Sequence, residues 1–194
     1  MAKYYRFYIE ILDIEPVIWR RFLLAATTGL TFFDLHKAVQ DAMGWEDSHL
    51  FDFRNPKGDL VAESSQADDG EGSVKEASCV KVASFYKKPG LRAFYTYDFG
   101  DSWEHAVQLE AMEERPERFS RLLLDGGRSC PPEDCGGPGG YDECCNVATG
   151  KKKDKEMKSW LGRWTPEGFD PAIWGKKHFN ITKKAKETEL WGPP

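Results

Sequence analysis

The stretch YYRFYIEIL, residues 4–12, constrains the fold most: Tyr5, Phe7, Ile9 and Ile11 fall on one side of an extended chain, Arg6 and Glu10 on the other. Successive side chains of a strand point to opposite faces, so the pattern predicts a strand with one buried and one wet face. Asp13-Ile14-Glu15-Pro16 supplies a turn, and VIWRRFLL (17–24) continues as a second strand-like run. A hairpin is the simplest reading. Such a hairpin must cover its apolar face with something. The next segment, LTFFDLHKAVQDAMGW, provides a cover: Thr31 caps a helix and Asp34 acts as the acidic member of a capping box. Phe32, Leu35, Val39 and Met43 make its buried stripe, and Gly44 stops it. The expected helix is 31–43.

Further along, HLFDF (49–53) reads as a short strand with His49, Phe51 and Phe53 on one face. Residues 55–79, rich in Gly, Ser and acid, predict a flexible loop. SFYKKPG allows one helical turn before proline ends it. LRAFYTYDFGDSWEHAVQLE (91–110) predicts a second hairpin turning at Gly100-Asp101, and SRLLLDG (120–126) another strand. After a glycine-rich turn the character becomes helical, through DKEMKSWLGRW (154–164), FDPAIW and ITKKAKETEL. Strands with one central helix first, and helices last, predict an α+β fold with a mixed or mainly antiparallel sheet rather than a doubly wound parallel one. The expected organisation is a single domain, 1–194, with a helical C-terminal appendage over about 141–190.

Hydrophobic residues make up 40% of the chain and aromatics 13%, enough for a real core. A net charge of −5 argues against non-specific coating of nucleic acid or anionic membrane, which needs a cationic surface. No run of about 18 apolar residues exists to span a bilayer. The N-terminal segment lacks the features of a signal peptide, and the cysteine count of 5 is odd, with Cys144 and Cys145 adjacent. Together these predict a reducing, cytoplasmic setting, where clustered cysteines are thiols or metal ligands more often than disulfides.

Two histidines, His49 and His105, are expected to face inward, the second beside Trp103, Val107 and Leu109. Cys130 and Cys135 lie in CPPEDCGGPGGY, stiffened by Pro131 and Pro132. Tetrahedral zinc accepts two thiolates and two imidazoles, so His49, His105, Cys130 and Cys135 form the candidate metal set. The plainer alternative makes both histidines hydrogen-bonded core residues and both cysteines small apolar fillers. Asp98, Asp101 and Glu104 bracket the YDFGDSWEH turn and are the candidate catalytic carboxylates, although aspartates are also ordinary turn formers. Lys151, Lys152, Lys153, Lys155 and Lys158, with Lys176 and Lys177, could meet phosphates but more often make a solvated helix face. GPGG lacks the following Lys-Ser/Thr of a phosphate-binding loop.

IWRRF (18–22), TFFDLHKAVQDAMGW (31–45), HLFDF (49–53), YDFGDSWEH (97–105) and CPPEDCGGPGGY (130–141) resemble, in order, the Ri-plasmid ORF-three-like family. Its members also carry a label as insertion-element passenger proteins of resolvase type. The resemblance implies a compact α+β protein with no established mechanism. A serine recombinase would need a nucleophilic serine amid arginines and a basic DNA-binding tail, and the sequence displays neither. The resulting expectation is a cytoplasmic binding or accessory module, zinc-stabilised if the four ligands converge, and tied to mobile elements by resemblance alone. The alternatives are a metal-dependent hydrolase using His49 or His105 with the nearby carboxylates, and a nucleic-acid binder. The sequence names no partner.

Overall fold

The computed structural model describes residues 1–64, 75–164 and 169–172. The first hairpin pairs β1 (Ala2–Ile11) with β2 (Trp19–Ala25), with Phe7 opposite Phe22. The second pairs β5 (Arg92–Tyr97) with β6 (Trp103–Arg115). They join through β1 and β6, so that Ile11 faces His105. With β3 (Phe51–Arg54), β4 (Leu60–Glu63) and β7 (Arg121–Gly127) they form one seven-stranded sheet, ordered β4-β3-β5-β6-β1-β2-β7. Every pairing in it is antiparallel. β4 lies inside the stretch expected to be loop. Its residues Leu60, Ala62 and Glu63 find partners in β3 despite the polar sequence around them.

Helix α1 (Phe32–Met43) covers the inner face, and both halves of its capping box are made between Thr31 and Asp34. Gly44 ends it in the left-handed region at φ 86°, where a side chain would be strained. Phe32 packs edge-on to Phe53 with 5.0 Å between ring centroids. Phe7, Ile9, Phe22, Leu35, Val39, Tyr95, Trp103 and Val107 complete the same core. A single turn, α2 (Val82–Phe85), brings Tyr86 under Phe7, and the Tyr86 hydroxyl donates to the Val107 carbonyl at 2.9 Å.

The glycine-rich run is a helix rather than a turn. Helix α3 (Gly137–Ala148) starts within GGPGG, with Pro138 in its first turn, where a missing N–H costs nothing. Glycine is required here by close approach. A Cβ on Gly137 would lie 2.5 Å from the Asp101 carbonyl oxygen, and one on Gly140 only 1.7 Å from that of Cys135. Helix α4 (Lys155–Trp164) packs on α3 through Cys144, Val147 and Leu161. ITKKAKETEL, Lys176 and Lys177 lie outside the described residues. No described helix is long and apolar enough to cross a membrane.

Candidate metal centre

Three segments meet at one end of the sheet: the chain after α1, the end of β5, and the loop before α3. Trp45 Nε1 donates to the Pro131 carbonyl at 3.0 Å. Glu133 is buried between the other two, accepting from the Glu46 amide at 2.6 Å and from the Tyr97 hydroxyl. The same hydroxyl accepts from the Ser48 amide at 3.0 Å. Burial and the bond to Glu133 push the Tyr97 phenol well above its ordinary range, so it stays a proton donor. Tyr97 and Glu133 thus tie the junction from within.

Their chain neighbours sit at the opposite, outer side. His49 Nε2 lies 2.8 Å from Asp134 Oδ1 and 3.6 Å from Asp98 Oδ2. One ligand atom from each residue falls within 4.8 Å of the others. Asp98 accepts from the Gly100 amide at 2.9 Å through Oδ1, which leaves Oδ2 for the histidine. Both aspartates hold a positive φ, 55° and 56°, a region that Asp tolerates better than most residues. Asp98 is nearly buried, His49 half-buried and Asp134 exposed, with side-chain accessibilities of 12%, 31% and 63%. One imidazole nitrogen and two carboxylate oxygens make a donor set suited to a divalent cation.

The four residues expected from sequence to share a metal are not gathered in this way. His105 is fully buried on β6, where Nδ1 donates to the carbonyls of Trp103 (2.9 Å) and Tyr95 (3.2 Å). Burial pulls its pKa down to about 4. Cys130 Sγ accepts from Arg20 Nη2 at 3.0 Å and lies 3.2 Å from Met43 Sδ. Cys135 turns instead to Cys144, and that thiol–thiol contact raises the pKa of Cys135 and lowers that of Cys144. The separation begins at His49. β3 starts at Phe51, so His49 belongs to the preceding loop and not to the strand face. Among the expected carboxylates only Asp98 joins the cluster. Asp101 Oδ2 accepts from the Gly136 amide at 3.0 Å, anchoring the start of α3, and Glu104 is exposed on β6 opposite Thr96.

The chain matches the Plasmid pRiA4b ORF-3-like protein family over residues 3–173. It belongs to that family. A curated relative, "Uncharacterized protein y4hQ" of Sinorhizobium fredii (strain NBRC 101917 / NGR234), is 33% identical over 165 residues, covering 84% of this chain and 82% of its own. The crystal structure of the protein of unknown function MM3350 from Methanosarcina mazei Go1 superposes with a TM-score of 0.73 at 34% identity. It covers 93% of this chain and 98% of that one. In this family member, the sequence blocks holding Trp45, His49, Tyr97 and Glu133 converge on the one junction.

Two buried polar centres escaped the sequence reading. Arg20 is fully buried, with Nε donating to the Ala42 carbonyl at the end of α1 (3.1 Å) and its other nitrogens to Trp19, Gly127 and Arg128 carbonyls. The alternation Ile18, Arg20, Phe22, Leu24 already points it inward. His36 stacks on Phe51 at 3.7 Å and bridges Asp47 (2.5 Å) to the Tyr95 hydroxyl (2.9 Å). Gln40 joins them, donating to the Tyr95 oxygen at 3.0 Å and accepting from the Asp47 amide at 3.0 Å. His36 is four residues after Phe32, on the same helix stripe. That spacing was the available signal.

Proposed function

We propose that this family member is a binding or accessory module whose working site is a divalent cation held by His49, Asp98 and Asp134. The observation that carries the reading is the convergence of one imidazole and two carboxylates from three distant segments. The set replaces the expected two-histidine, two-cysteine zinc site, with zinc retained as the first candidate because imidazole and carboxylate both suit it. Three protein ligands leave coordination positions open, unlike a closed structural site. Leu50 and Phe99, next in sequence to His49 and Asp98, are 44% and 47% exposed. An anionic group on an apolar carrier is the ligand chemistry that suits such surroundings.

A metal-dependent hydrolase would draw on the same open positions. The neighbouring carboxylates favour binding, because Glu133 and Asp101 are both committed to structural hydrogen bonds. The family's link with plasmids suggests an accessory role in mobile-element biology. The test is metal content after purification without chelator. The wild type and a Cys130→Ser, Cys135→Ser double variant should each carry one cation per chain, and His49→Ala and Asp134→Asn none. Loss of metal in the cysteine variant alone, or its absence from the wild type, would remove the reading.

A further inference from the structure

Behind the metal junction the CPPEDC loop folds back over α3, and the fit is unusually close. The Cys135 carbonyl occupies the space where a side chain on Gly140 would stand, 1.7 Å from an added Cβ. Residues four apart share one face of a helix, so Cys144 lies one turn beyond Gly140 on the face that Cys135 covers. The two side chains come together there: Cys135 packs against the apolar cluster of Cys144, Val147 and Leu161. Their exposures differ, Cys144 being fully buried and Cys135 partly open to solvent. The remaining thiols are occupied elsewhere or isolated. Cys130 is held by Arg20 and Met43, Cys145 interacts with Tyr141, and Cys79 is exposed on another part of the chain.

We propose that Cys135 and Cys144 form a dithiol–disulfide site, oxidised by low-molecular-weight disulfides. The accessible Cys135 sulfur passes its proton to the neighbouring Cys144 sulfur as it attacks the external disulfide, forming a mixed disulfide and releasing one external thiolate, which takes up a proton from solvent. Cys144 then attacks the Cys135 sulfur, and the second external thiol leaves with the proton that Cys144 gives up. Two protein thiols are oxidised to one disulfide, and one external disulfide is reduced to two thiols. The internal bond joins the loop to the third turn of α3 and fixes the close seat over Gly140. Neither sulfur belongs to the proposed ligand set.

The experiment exposes the reduced full-length chain to glutathione buffers of increasing oxidised fraction, quenches with an alkylating agent, and maps the peptides by mass spectrometry. The expected result is loss of alkylation at Cys135 and Cys144 together, with a Cys135–Cys144 linked peptide. In Cys144→Ala, which keeps a small apolar filler, oxidation should stop at glutathione on Cys135. Circular dichroism checks that this variant is folded. A wild type that keeps glutathione on Cys135 beside a free Cys144 would overturn the proposal. So would pairing of Cys135 with another cysteine, or no reaction in fully oxidised buffer.

Discussion

His105 and His49 lie at opposite extremes of one junction, and the contrast shows how the surroundings set what a histidine can do. His105 is sealed in the sheet, donates to two backbone carbonyls, and is held neutral by burial. His49 is half-exposed, with two carboxylates at its Nε2. The first is costly to charge and serves the fold. The second has a donor set suited to holding a cation. Tyr97, bonded to Glu133 and with its ring 5.8 Å from that of His49, is the inner side of the site. Perturbing the inner side should therefore change stability, and perturbing the outer side should change binding.

The largest stability loss is expected where backbone meets backbone. Gly140→Ala puts a Cβ against the Cys135 carbonyl, and overpacking of this kind costs about 3 kcal/mol or more, read as a drop in the urea midpoint. Next comes His105. Its folded pKa of about 4 lies below the ordinary 6.5, so its contribution is complete above pH 6.5. As pH falls, the unfolded chain takes up the proton first. About 3 kcal/mol should therefore be lost between pH 6.5 and 4, where the curve levels. His105→Phe should flatten that part of the pH–stability profile.

Glu133→Gln comes third. Only one of its two buried acceptors survives, which should cost about 2 kcal/mol and weaken cation binding as the loop loosens. Smallest in stability is His49→Ala. Without metal it should stay within about 0.5 kcal/mol of wild type, as a partly exposed polar side chain at the surface contributes little, yet lose the cation. A stability loss at His49 as large as at Glu133 would break the division between inner and outer sides.

The legible parts of the fold are those with local causes. Alternation marks β1 and β2, and the Thr31–Asp34 box with Gly44 marks both ends of α1. The glycine run misleads because its local signal is that of a turn. The demand for glycine comes from Asp101 and Cys135, which only tertiary structure brings close. Two of the three residues of the candidate site were legible by residue type. His49 and Asp98 were singled out, but starting β3 two residues early turned His49 inward and suggested His105 as its partner. Asp134 was visible only as part of an acidic pair between cysteines. Its role depends on Glu133 turning inward while Asp134 turns outward, and no spacing rule for a loop announces that.

Cobalt substitution tests the central claim most directly, because cobalt(II) reports its ligands by colour. Chelator-stripped protein titrated with cobalt(II) should bind one ion per chain, with weak visible bands and no intense thiolate-to-metal band in the near ultraviolet. His49→Ala should abolish the bands. A strong thiolate band, or no binding by the wild type, would contradict the account.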